Sequence, residues 1–278
     1  MNADLNTLAL AIEAIGKADF YERLCAYLRE CMPHDNIIAI TYQGTSLPTV
    51  HLRCARGPNV FRHLKSTYLA GAYVLDPIYQ YHLRRQKSGI FRLLEVAPDQ
   101  FKRSHYYEWY YGRIGITDEI SVVQTVGDDT TLTVSMGKDR SSGQMFSSLD
   151  ERRLKRHEAV IMTLLKSHWS SGADLSSRQT QGLTVTDDLI AAMRDQYNLN
   201  LSRRQAEVAL LILQGHSSIS IGLNLSISPQ TVKVYRKQLY RRCNLSSQAE
   251  LFALTMPILQ QVQTLPAGKQ HLVIPGNC

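Results

Sequence analysis

The sequence contains no membrane-length apolar run, no paired cysteine motif and no recognised nucleotide or hydrolase signature. Its five cysteines, Cys25, Cys31, Cys54, Cys243 and Cys278, are scattered and odd in number. Without a CxxC pair they indicate neither a zinc site nor a disulfide framework, and a reducing cytoplasm is the expected setting. Residues 1–20 carry Asp4, Glu13 and Asp19 and lack a basic stretch followed by an apolar core, so no leader is expected. Two stretches are free of charge, Val208–Val232 and Leu251–Gly268. Serines and Pro229 interrupt the first, and Pro257, Pro266, Gln260, Gln261 and Gln263 interrupt the second, so neither reads as a membrane span. Glycine-rich phosphate loops, HExxH and GxSxG are absent. The nine histidines are dispersed, with no local support for a catalytic triad. An enzyme is therefore not expected, and neither is a metal or cofactor.

What is present is ordinary globular material in an uneven arrangement. The 278 residues are 44% hydrophobic and 20% charged, and the length suits two domains. The net charge of +7 is not spread evenly. Residues 1–172 hold 21 basic and 18 acidic residues, whereas residues 201–252 hold seven basic and two acidic. A small polar segment, Ser170–Gly182, lies between them and reads as a linker, followed by a short amphipathic segment, Asp187–Gln196. The expected division is an N-terminal domain over 1–172, a linker with a short helix over 173–198, a second, basic domain over 199–264 and a frayed tail over 265–278.

The N-terminal part alternates in type. Helical spacing is seen in Leu5–Ile15, Phe20–Cys31, Pro58–Ala70, Pro77–Gln86, Asp99–Tyr111 and Leu149–Trp169. Strand patterns are seen in Asn36–Tyr42, Thr49–Cys54, Gly89–Leu93, Asp118–Val126 and Thr130–Gly137, with Gly127-Asp128-Asp129 as a hairpin signal. Together they predict an α+β domain, an α/β/α sandwich with a small antiparallel sheet flanked by helices. Strand order does not follow from these patterns.

The C-terminal part reads as an all-α domain of four short helices. Ser202-x-x-Gln205 is a capping box, and Gly215 suits the left-handed residue that ends the first helix. Ser217 can cap the second helix, Ser228-Pro229 opens the third, and Ser246 can cap the fourth. Only Leu225–Ile227 joins the second helix to the third, which is helix-turn-helix geometry. On the third helix Val232, Tyr235 and Leu239 form a packing face, while Lys233, Val234 and Lys237 form a separate stripe. Such a helix fits the major groove with the stripe toward base edges. Thr231, Arg236, Arg204 and the Ser228 end of the helix are placed for phosphates.

These residues resemble the LuxR-type helix-turn-helix, from Leu201-Ser-Arg-Arg-Gln through Gly215, Ile221, Leu225 and Thr231-Val-Lys to Leu245. The resemblance implies that Lys233, Val234 and Lys237 face bases and that Thr231 and Arg236 lie near the backbone. Gly222, Tyr235 and Gln205 depart from the usual Ala, His and Glu. Gly222 is expected to weaken its helix by up to ~1 kcal/mol. No receiver-type phosphoacceptor pattern is seen, since Asp128-Asp129 and Asp187-Asp188 fall in a hairpin and beside the linker.

Residues 64–126 resemble, more loosely, the autoinducer-binding domain of quorum-sensing LuxR-type regulators. Tyr68-x4-Tyr73 precedes Asp76-Pro77, Phe91 follows, and Gly115-Ile116 leads to Glu119. In the family these positions line an acyl-homoserine-lactone pocket. Here Leu64 and Phe91 stand where Trp is usual, and Glu119 stands for Gly, as in a divergent "solo" member. The resemblance implies an effector pocket built from Tyr68, Tyr73, Asp76, Phe91 and Glu119, with Trp109 of the aromatic run His105–Tyr111 as lid or dimer surface. Aromatic walls with one or two carboxylates suit an amine or a polar amide better than an acid. The basic cluster Arg152–His157 reads as a solvated helix face.

The expected function is sequence-specific regulation of transcription by a homodimer on a near-palindromic operator in double-stranded DNA. An unidentified small molecule would control it, RNA polymerase would be a further partner, and no membrane is involved. The alternative is a constitutive DNA-binding regulator whose N-terminal domain only dimerises.

Overall fold

A computed structural model describes residues 5–172 and 184–262. The sequence-predicted tail, and residues 173–183 of the linker, lie outside the described residues. The sheet has five strands, β1 (Asn36–Gln43), β2 (Thr49–Ala55), β3 (Gly89–Arg92), β4 (Ile116–Thr125) and β5 (Thr130–Asp139). Their order is β2-β1-β5-β4-β3, and each neighbouring pair is antiparallel. The Gly127–Asp129 turn is closed by the Val126 N–H donating to the Thr130 carbonyl at 3.0 Å. These strands match the expected segments closely, because β-rich runs bounded by turn residues mark them locally.

Alternation also sorts side chains to two faces. On β1, Ile37 and Ala39 join a rear core with Ile120, Val122, Val134 and Met136. That core is covered by α1 (Leu5–Glu13), α2 (Phe20–Cys31), α6 (Ser148–Arg156) and α7 (Glu158–Ser170). Helix α2 buries Phe20, Leu24, Cys25, Leu28 and Cys31, one face at helical spacing. The expected single helix Leu149–Trp169 is broken at His157, whose φ of −98° and ψ of 3° leave the helical region. There the His157 ring bonds the Tyr27 hydroxyl at 2.8 Å, a tertiary contact that periodicity does not reveal.

The front face is covered by irregular chain. Residues expected to be helical over Pro58–Ala70 instead form turns, with a π-type turn at Leu64–Tyr68. This winding turns Phe61, Leu64 and Tyr68 toward one cavity. A 3-10 turn at Ala72–Leu75 leads to α3 (Pro77–Leu83), and α4 (Leu93–Val96) follows β3. The segment expected as one helix, Asp99–Tyr111, is a 3-10 turn at Phe101–Arg103 and a π-type turn at Tyr107–Tyr111, continued by α5 (Gly112–Ile114).

The C-terminal helices are α8 (Val185–Tyr197), α9 (Arg203–Gln214), α10 (Ser218–Leu225), α11 (Pro229–Arg242) and α12 (Gln248–Val262). The Ser202, Ser217 and Ser228 side chains each accept from the backbone N–H three residues on. Gly215 ends α9 at a φ of +95°. The fourth helix is capped by Ser247 rather than Ser246, since the Glu250 N–H donates to the Ser247 hydroxyl at 3.2 Å. Gly222 has a packing reason. A Cβ there would stand 2.7 Å from the Ile227 carbonyl oxygen, so the short turn between α10 and α11 uses its missing side chain. Val232 and Leu239 are fully buried, as the packing face of α11 requires. The core of these helices is continuous with the core on the front of the sheet. Among the described residues no helix is long and apolar enough to cross a membrane.

Candidate ligand cavity and DNA-reading face

A cavity of about 40 Å³ lies between the front of the sheet and the irregular layer. Its floor is Asn36, Ile38, Ile40 and Tyr42 of β1 with Glu119 of β4 and Ser135 of β5. Its cover includes Leu64, Tyr68, Asp76, Tyr110 and Tyr111. Asp76 is positioned as the N-cap of α3, where Oδ1 accepts from the Ile78 N–H at 2.7 Å and Pro77 occupies the first helical position. Its Oδ2 accepts from the Tyr111 hydroxyl at 3.3 Å. Glu119 accepts from the Ser121 hydroxyl at 3.2 Å, which is itself bonded to Ser135 at 2.7 Å. The Tyr42 and Tyr68 hydroxyls bond each other at 2.7 Å, and the Tyr68 and Tyr110 rings stack at 5.5 Å.

Both carboxyls are buried. Burial pushes Asp76 up to about 6, although hydrogen bonds from Ile78, Tyr79, Tyr111 and Tyr68 hold it down. Burial pushes Glu119 further, to about 8, with the neighbouring Asp76 charge adding to the effect.

Of the expected pocket residues, the structure brings Tyr68, Asp76 and Glu119 together and places three elsewhere. Tyr73 is fully buried but packs edge-on to Tyr79 at a ring separation of 4.8 Å, outside the cavity wall. Phe91 sits on β3, the far edge strand, with its ring 5.1 Å from Tyr81. Trp109 points away from the cavity toward α12, with its ring 5.4 Å from Phe252. Tyr42, Tyr110, Tyr111 and Ser135 were not singled out from sequence as pocket residues. The alternation of β1 and β5 and the inward turn of the aromatic run put them on the wall.

On α11, Lys233, Val234 and Lys237 are exposed along one side. Thr231 shares a hydrogen bond with Ser228 at 2.8 Å at the start of the helix. Arg204 pairs with Glu207 at 2.9 Å, and the Arg236 guanidinium lies over the Tyr240 ring at 5.2 Å. The basic cluster Arg152–His157 belongs to the rear layer, on the other side of the sheet from the front core that the C-terminal helices share.

The two parts of the chain touch. The Gln100 N–H donates to the Gly215 carbonyl at 3.0 Å, and the Ser217 N–H donates to Asp99 at 2.9 Å. Arg84 approaches His216 at 3.4 Å, and burial next to Arg84 holds the His216 imidazole down at about 4.

The family description "Bacterial regulatory proteins, luxR family" matches residues 199–255, the span of the helix-turn-helix. An HTH-type transcriptional regulator in the exeN 3′ region of Aeromonas salmonicida is 30% identical over 200 residues, 69% of this chain and 97% of that protein. The chain belongs to the LuxR family of bacterial regulatory proteins. Members of this family are DNA-binding transcriptional regulators, not enzymes. The VqsR LBD domain of Pseudomonas aeruginosa shares the fold of the N-terminal part, with a TM-score of 0.50 at 22% identity over 60% of this chain and 96% of that one. Escherichia coli SdiA aligns over 91% of this chain and 97% of its own at 16% identity, with a TM-score of 0.42.

Proposed function

We propose that this LuxR-family regulator is a homodimer whose DNA binding is controlled by a small molecule held in the cavity between β1, β4 and the irregular front layer. The observation that carries this is the cavity itself, lined by two buried carboxyls and continuous in packing with the DNA-binding helices. Residues 1–172 sense and dimerise, residues 173–198 connect, and residues 199–264 bind DNA. Lys233, Val234 and Lys237 read bases, while Thr231, Arg236, Arg204 and the Ser228 end of α11 hold phosphates. Two copies set their α11 helices about one DNA turn apart on a near-palindromic site, where contact with RNA polymerase becomes available. The setting is the bacterial cytoplasm. A ligand acts through its different affinity for arrangements that fit and do not fit DNA.

The test has two stages. The full chain is used to select its operator from random DNA, and the mass of the complex is measured by light scattering. Two chains on paired half-sites are expected, and one chain on an unpaired site would overturn the dimer. A reporter driven from that operator is then compared for wild type, Asp76→Asn and Glu119→Gln. Altered reporter output at equal protein level is expected. Unchanged output for both variants would leave a constitutive regulator whose N-terminal domain only dimerises.

A further inference from the structure

Asp76 and Glu119 come from unrelated elements, a helix cap and a strand, yet they face one small space. A buried carboxylate is costly unless a cation or several hydrogen-bond donors answer it. Among the described residues the cavity wall contains no lysine, arginine or histidine. Neither carboxyl has an ion-pair partner among the described residues. Asp76 has its helix cap and a tyrosine hydroxyl, and Glu119 has serine hydroxyls. The space between them therefore carries two acids and no internal base.

The remaining wall favours a cation too. Tyr42, Tyr68, Tyr110 and Tyr111 bring ring surface and hydroxyl oxygens to the same space. Ring faces attract cations, most strongly where water is excluded. We propose that the cavity binds a small organic ammonium ion, with Asp76 and Glu119 as its counter-charges and the tyrosines as its cage. This rests on residues 1–172 being a ligand sensor. A neutral acyl amide would engage one carboxyl and give the second no reason to ionise, whereas an ammonium ion is matched by both.

Size narrows the class. A cavity of about 150 Å³ holds benzene. The space here is about 40 Å³, so only an ammonium ion of very few heavy atoms fits, such as methylammonium or protonated ethanolamine, and neither a six-atom diamine nor a long acyl chain does.

Binding such an ion should change protonation. The groups facing the site are Asp76 from the head of α3, Glu119 and the adjacent Asp118 from β4, Tyr42 from β1, Tyr68 from the π-type turn, and Tyr106, Tyr110 and Tyr111 from the aromatic segment. Burial by itself keeps Glu119 largely protonated at neutral pH. An entering ammonium ion favours the ionised form, so close to one proton leaves on binding. A neutral ligand that accepts a hydrogen bond from the acid would retain that proton.

The experiment uses the full chain at pH 7, with methylamine, ethanolamine, its uncharged isostere 1,2-ethanediol and a neutral acyl-homoserine lactone as probes. Calorimetry is run in two buffers of different ionisation enthalpy. The expected result is binding of an amine with proton release, no binding of the diol, and a loss of amine affinity of about tenfold or more in Glu119→Gln. The proton count is read on the wild-type protein, so it holds even if that variant folds poorly. Equal binding of ethanolamine and the diol, or amine binding without proton release, overturns the proposal. Binding of the lactone alone overturns the amine and keeps the sensor. If no probe binds, the amine proposal falls, and the reporter comparison separately decides whether the sensor falls with it.

Discussion

The Trp109 indole meets the Phe252 ring edge-on at 5.4 Å, and the next residue in the chain, Tyr110, lines the cavity on the front of the sheet. One π-type turn thus faces the cavity on one side and α12 of the DNA-binding helices on the other. His105 reaches the same Phe252 ring at 6.3 Å. A ligand that shifts Tyr110 or Tyr111 must move a segment already packed on the C-terminal helices.

Trp109→Leu should therefore uncouple the two ends of the protein. The variant is expected to keep ligand affinity within a few fold, while the ligand-dependent change in DNA affinity shrinks. Coupling free energies between sites are typically about 1–3 kcal/mol, so losing the contact is a measurable change. Ligand and operator titrations on the same preparation check this. Undiminished coupling would place the communication elsewhere, for instance at Asp99 and Ser217.

Gly215 tests the docking contact directly. Its φ is +95°, and a Cβ there would lie 2.8 Å from Phe101 Cα. Gly143 has a φ of +64° with nothing within 4 Å of a built Cβ. Alanine at Gly143 should cost only the left-handed backbone, about 1 kcal/mol. Alanine at Gly215 adds the overlap with Phe101 and should cost visibly more in thermal unfolding. It should also expose Gln100 and Ser217 amides to faster hydrogen exchange. Equal cost at the two sites would mean that residues 100–104 do not dock on α9.

On α11, Lys237→Ala should cost about 1–3 kcal/mol on the selected operator and relax preference at one base position, as expected for a base contact. Arg236→Ala should weaken all sequences alike and lower the salt slope by about one. The Arg236 guanidinium already lies over Tyr240, so its side chain is held near one orientation. Binding measured across salt and across operator variants separates the two roles.

The DNA-binding end was legible because its signals are local. Ser202 with Gln205, Gly215, and Ser228 with Pro229 each act through bonds within a few residues, and each appears where expected. The strands were legible for the same reason. The cavity was only partly so. Asp76 announces itself as a cap before proline, but whether Phe91 reaches the cavity depends on strand order, and β3 lies at the sheet edge. Tyr110 and Trp109 are adjacent and chemically alike, and only the winding of the π-type turn sends one inward and the other toward Phe252. The break at His157 depends in turn on Tyr27, 130 residues away.

The paired acids make a prediction for the empty protein. Asp76 and Glu119 titrate at about 6 and about 8 when folded, above the ordinary 3.8 and 4.5. A carboxyl raised in the folded state holds its proton more tightly there than in the unfolded chain. Its contribution is complete below the ordinary value and is lost as pH rises through the folded value. Between about pH 4 and 8 these two groups should lower the stability of the ligand-free protein, by an amount on the order of 8 kcal/mol. Glu119→Gln should flatten the upper part of that profile, from pH 6 to 8, because the amide has no proton to lose. Thermal unfolding of both proteins across this range checks it. Parallel profiles for wild type and variant would show that Glu119 ionises at an ordinary pH and is not sealed in the cavity.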